Sequence, residues 1–246
     1  MKAKILGCAA ALFATTSAMA QEATWTAQQA GDVRLAYAVF PDPGVAMIAR
    51  CQSGTLELLL QGVQLAVPDI DGAVQFDEGR VRDVKWVRSA DGRYLIADRP
   101  AHLARGMTQA STAHFQFGFG DGAPGITLTP PPETAPLAGI LTACGQPLES
   151  ARDEAEYLRL EGDDVWVRRG RVHIPSRASR DHISGWAVVT CITRVQGILD
   201  DCEVEAEGPV GYDFGRASVS SLQESRLKPD TPVDRLVTIR LTTLVE

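Results

Sequence analysis

The chain has 246 residues, with 24 Lys and Arg against 31 Asp and Glu, a formal net charge of −7, and 45% apolar side chains. A surface this acidic repels phosphate backbones and anionic headgroups, so nucleic acid is excluded as a partner. The length suits one large domain or two of about 100 residues each.

Lys2 and Lys4 precede an apolar run over residues 5–14, and Ala18 and Ala20 place small side chains where signal peptidase needs them. The pattern predicts a signal peptide over residues 1–20, cleaved after Ala20, and therefore an exported chain with no integral membrane segment once mature. The run breaks at Thr15, Thr16 and Ser17, short of the ~20 apolar residues that a spanning helix needs. Cys8 has too few residues before it to be a lipoprotein attachment site.

Residues 21–148 read as an antiparallel β-rich domain. Short apolar or alternating runs at 33–40, 45–50, 55–60, 80–87, 94–97 and 114–119 are separated by Pro41-Asp42-Pro43-Gly44, Asp71-Gly72, Asp91-Gly92 and a glycine-rich stretch at 118–122, all turn chemistry. A short helix is expected over 102–110, with Leu103 and Met107 on its inner face. Residues 137–144 suit either a buried helix or a closing strand. Residues 149–164 are rich in charge, weakly helical over 153–160, and read as a linker.

From residue 165 onward the pattern changes. Pro175 suits the first turn of a helix over 176–182. Residues 186–193 and 198–206 read as a hairpin turning at Gln196-Gly197. Asp213 is expected to cap a helix over 214–227 that Pro229 stops. A last strand alternates, with Val233, Val237, Ile239, Leu241 and Val245 on one face and Thr238, Arg240 and Thr242 on the other. The fold class is α+β, with helices on one face of a small antiparallel sheet.

An even number of cysteines in an exported chain favours disulfides, and Cys51, Cys144, Cys191 and Cys202 allow three connectivities. The domain split favours Cys51 with Cys144 and Cys191 with Cys202. A two-residue hairpin loop also sets the second pair directly opposite, unless a bulge shifts the register.

Ile174-Pro175, Ala178, Gly185, Gly197 and Lys228-Pro229, in this order and among these elements, resemble the C-terminal domain of the TonB family over residues 165–246. Trp166 falls in its entry strand. The resemblance implies an αββαβ periplasmic module that adds an extended segment of a partner protein, an outer-membrane receptor or another envelope protein, beside its last strand. Carried onto this chain, the edge is Leu236, Val237, Thr238, Ile239, Arg240, Leu241, Thr242, Thr243 and Leu244. Such an edge presents unpaired main-chain groups to a visitor or to a second copy in a homodimer. The family's extended spacer is absent from the sequence, and Ser225 stands where an aromatic residue is common. The main alternatives are an enzyme with its site in residues 21–148, using His102 or His114 beside a carboxylate, and a short energy transducer anchored by an uncleaved N-terminal helix.

Other clusters carry blander readings. The acidic run from Asp200 to Glu207 lacks the glycine spacing of a calcium loop and reads as a solvated hairpin edge. Arg168, Arg169 and Arg171 read as surface charges or linker ion pairs. Ser176, Ser179, Asp181 and His182 lack the elbow and the distant partner of a hydrolase. No Cys-x-x-Cys occurs and the four histidines lack ligand spacing, so neither a metal nor another cofactor is expected.

Overall fold

The computed structural model describes residues 22–65, 69–89, 91–120, 122–160 and 162–245. The signal-peptide reading, Cys8 included, lies outside the described residues. Two antiparallel sheets carry the chain, each with its own apolar core, and the class is α+β. No helix among the described residues is long and apolar enough to cross a membrane.

The first sheet has nine strands: β1 (Thr26–Ala30), β2 (Val33–Phe40), β3 (Val45–Gln52), β4 (Thr55–Gln61), β5 (Asp69–Phe76), β6 (Arg82–Arg88), β7 (Tyr94–Ala97), β8 (Ala113–Phe117) and β9 (Gly125–Leu128), ordered β1-β2-β3-β4-β7-β6-β5-β8-β9. Period-two alternation sends Ala36, Ala38, Met47, Ala49, Leu58, Leu60, Trp86 and Phe115 into one core. Helices α1 (Pro100–Gln109) and α2 (Ala135–Ala143) pack together and against strands of this sheet. Leu103 and Met107 are fully buried, as their spacing predicts. The ambiguous run at 137–144 resolves as α2, because Leu137, Ile140 and Leu141 recur at helical spacing against that core. Cys51 of β3 bonds to Cys144 just after α2, closing a sequence separation of 93. In the chain-entropy model a loop of this length contributes about 4 to 5 kcal/mol at most.

Asp71-Gly72 is not a turn. Both residues sit inside β5, and Gly72 is required because the neighbouring strand β8 lies so close that a Cβ there would lie 2.2 Å from the Gln116 carbonyl oxygen. Strand β1 carried no apolar alternation, since all five of its residues are exposed.

The second sheet comprises β10 (Trp166–Arg168), β11 (Gly185–Arg194), β12 (Ile198–Gly208), β13 (Arg226–Leu227) and β14 (Leu236–Thr243), ordered β10-β13-β12-β11-β14. Helices α3 (Ser176–Asp181) and α4 (Phe214–Glu224) belong to this half. The β11–β12 turn has three residues instead of two, with Gln196 and Gly197 at φ 58 and 67°. Gly197 also has no room for a side chain, for a Cβ would meet the Leu227 carbonyl oxygen at 2.1 Å. An extra residue, Asp201 at φ 47°, bulges from β12 and restores the register, so Cys191 and Cys202 face one another with Cα atoms 4.1 Å apart and form the second disulfide.

Helix α4 departs from expectation at both ends. Asp213 adopts φ 62° and does not cap it, and its carboxylate pairs with Arg216 instead. Glu207 reaches over from β12 and accepts the Gly215 N–H at 2.6 Å, which serves the same electrostatic purpose at the helix N-terminus. The helix ends at Glu224, and the chain turns at once into β13. Ser225 holds that turn, its hydroxyl donating to the Ser221 carbonyl and accepting from the Gly170 N–H, both at 2.8 Å.

The described part of the segment 149–164 is fastened at several points. A 3₁₀ turn (Ala151–Asp153) replaces the expected weak helix. Arg152 donates to the carbonyls of Thr190 and Asp201 in the second sheet, while Asp153 accepts from Arg105 and contacts His102 on α1. Farther on, Arg159 pairs with Asp83 at 2.6 Å. The acidic run on β12 is therefore not wholly solvated. Glu203 lies 3.2 Å from the Arg152 guanidinium, and Glu205 accepts the Thr190 hydroxyl at 2.8 Å.

Candidate functional site

Strand β14 is an edge, hydrogen-bonded to β11 alone among the named strands. Its main-chain groups alternate between the two sides. The connector reveals which ones face outward. Leu236 donates to the Glu156 carbonyl at 2.8 Å and accepts the Leu158 N–H at 2.9 Å, so residues 156–158 cover the first outward position. Thr238, Arg240 and Thr242 then point the same way, and none of their main-chain groups has a partner among the described residues. Val237, Ile239, Leu241 and Thr243 face β11. Leu244 lies beyond the strand and is 74% exposed.

Two clefts flank this edge. On the α4 side, about 390 Å³ is bounded by Ile239, Leu241, Leu160, Trp166, Val172 and Leu222 with Arg169, Ser221 and Ser225. On the other side, about 410 Å³ lies between Thr238 and Arg240, the connector residues Tyr157, Arg159 and Leu160, and Asp71, Asp83, Lys85, Asp98 and Phe119 from the first half. Arg240 lines both clefts. Its guanidinium sits 4.8 Å from the Trp186 ring centroid, within cation–π range.

The polar cleft is charged on both sides. Arg159 holds Asp83 and stacks 4.0 Å from the centroid of Phe119, while Asp71 lies 4.0 Å from Lys85. Asp98 is buried and accepts the Lys85 N–H at 2.9 Å. Burial pushes its carboxyl up to about 7, because one main-chain donor and the nearby Arg99 and Arg240 charges do not repay the lost hydration. Burial likewise raises Tyr157.

A third cleft, of about 210 Å³, contains His102 and Asp153 with Arg80, Arg82 and Glu154. The His102 Nδ1 to Asp153 Oδ1 distance is 2.9 Å, the pairing that an acid–base site would need. The surroundings argue for fastening. Asp153 also accepts from the Nε and Nη2 of Arg105, the His102 Nε2 is closed to solvent without a partner among the described residues, and none of the described Ser, Thr, Cys or Lys residues lines the cleft. Burial lowers the His102 pKa, against the opposing pull of its hydrogen bond to Asp153. His114 lies on β8, exposed, beside the Thr127 hydroxyl. No group of three or more His, Cys, Asp or Glu able to hold a metal occurs among the described residues.

No protein-family model matches the chain, and no curated protein does. It is similar to a solved structure described as the solution NMR structure of the Pseudomonas aeruginosa TonB CTD. Identity is 22%, the match covers 36% of this chain and 94% of that one, and the TM-score is 0.32.

The structure brings Thr238, Ile239, Arg240, Leu241 and Thr242 together along one cleft-lined edge, while Leu236 is occupied by the connector. Sequence reasoning missed Asp98, Tyr157 and Arg159. They reach β14 from distant positions in the chain, and no spacing within a single element marks them.

Proposed function

We propose that this chain is an exported periplasmic binding or adaptor protein of two folding units, residues 21–148 and 165–246. Its C-terminal unit takes an extended segment of an envelope protein as an added strand along β14, in the context of TonB-dependent transport. The observation that carries the reading is the run of outward main-chain groups at Thr238, Arg240 and Thr242, unpaired among the described residues on an edge flanked by two clefts. Main-chain hydrogen bonds would supply affinity and the clefts selectivity. The two disulfides suit an oxidising compartment. The sequence resemblance of residues 165–246 supplies the class of partner.

Thr242 separates strand addition from other modes of binding. Its N–H faces away from β11, so Thr242→Pro removes an outward donor without breaking the existing ladder. In capture from envelope extract by the whole exported chain, Thr242→Pro is expected to lower partner recovery at least tenfold, with an unchanged melting temperature. Thr242→Val should bind normally. Equal recovery by all three proteins would rule out strand addition at this edge.

A further inference from the structure

We propose that the β14 edge selects an extended partner segment of about five residues in which one carboxylate-bearing residue, set opposite Arg240, stands between two aliphatic residues. The inference rests on the strand-addition reading and specifies the chemistry of the segment it takes.

The length follows from the occupied and free positions. Residues 156–158 already pair with Leu236, and β14 ends at Thr243, so the open outward groups run from Thr238 to Thr242. At ~3.3 Å per residue this spans about 13 Å. A visiting strand, in either direction, alternates its side chains between the two flanking clefts. Residues on the Ile239 and Leu241 side enter the cleft beside Leu160, Trp166 and Val172, a surface suited to aliphatic groups. The residue beside Arg240 enters the charged cleft.

Charge selects an acid at that position. Arg240 forms no ion pair among the described residues, and its Nη1 is removed from water without a hydrogen-bond partner. The acids around it are engaged elsewhere. Asp83 from β6 is held by Arg159 of the connector, Asp71 from β5 lies near Lys85 of β6, and Asp98, at the end of β7, takes the Lys85 N–H. When Asp98 is protonated, the cleft lining holds three cations, Lys85, Arg159 and Arg240, against two carboxylates, Asp71 and Asp83. A carboxylate arriving on the added strand would satisfy Arg240, whereas an ammonium would add a fourth cation.

Fluorescein-labelled synthetic decapeptides with a central Val-Glu-Val, Val-Gln-Val or Val-Lys-Val core provide the probe, titrated by fluorescence anisotropy into the whole exported chain. The Glu peptide is expected to bind about tenfold more tightly than the Lys peptide, with the Gln peptide between them. Arg240→Glu should reverse the order, and Arg240→Gln, the milder change, should level it. If all three peptides bind equally and neither variant alters the order, charge selection is overturned while strand addition stands. If none binds, the edge does not accept a strand of this kind and both readings fall.

Discussion

Asp98→Asn is expected to make the protein more stable at pH 8 than the parent by about 3 to 4 kcal/mol and to differ little from it near pH 4. The Asp98 carboxyl is buried, and its pKa is raised to about 7 in the folded protein. In the unfolded chain an aspartate titrates near 3.9. Between those values the folded state holds a proton that the unfolded state has released, so rising pH favours unfolding by about 1.4 kcal/mol per unit. The loss accumulates from about pH 4 to pH 7 and is complete above that. Asparagine cannot ionise, yet its Oδ1 can still accept the Lys85 N–H. Urea unfolding of parent and variant at pH 4, 6 and 8 measures the difference. A constant offset across the three would show that burial of this carboxyl does not set the pH dependence.

The opposite sign is expected for Asp153. Asp153→Ala should destabilise the protein by about 3 to 5 kcal/mol at neutral pH, because it strands Arg105, whose side chain is 7% exposed, without its counterion. Burial alone would raise the Asp153 pKa, but hydrogen bonds from Arg105 and His102 outweigh it and hold the carboxyl well below the usual range. A depressed carboxyl contributes stability that is present in full above its unfolded pKa near 3.9 and is lost as pH falls toward the folded value. The parent should therefore lose this contribution only below about pH 4, and the variant should show no such loss. So far as these two carboxyls decide it, stability peaks near pH 4. Urea midpoints across the acid range read the effect. An Asp153→Ala protein as stable as the parent would show that the connector is not anchored through this residue.

The same residue illustrates what sequence reading reaches. Alternation over residues 33–40 and 94–97 marked β2 and β7 because each strand buries one face against an apolar core, and period two is the direct imprint of that burial. Leu103 and Met107 marked α1 in the same way. The cysteine pairs were legible because a domain split and a hairpin register leave little freedom, and the bulge at Asp201 compensated for the longer turn. Arg152 and Asp153 were read only as members of a charged linker. Their roles depend on Thr190, Asp201, Arg105 and His102, which lie far away in sequence, and a run of charge looks the same whether it meets water or distant partners. Gly72 failed for a related reason: a glycine that admits a close neighbouring strand cannot be told from one that makes a turn until the neighbour is known. Along β14 the alternation of residues 237–242 was legible. The capture of Leu236 by the connector and the isolation of Arg240 were not.

Residue-resolved amide hydrogen exchange on β14, with and without a bound partner segment, tests the central claim most directly. The free protein should exchange Thr238, Arg240 and Thr242 quickly and Val237, Ile239 and Leu241 slowly, as outward and inward amides of one edge strand. Binding should slow the three outward amides at least a hundredfold and leave the inward three nearly unchanged. Outward amides that stay fast in the complex, or that are already protected in its absence, would contradict strand addition at this edge.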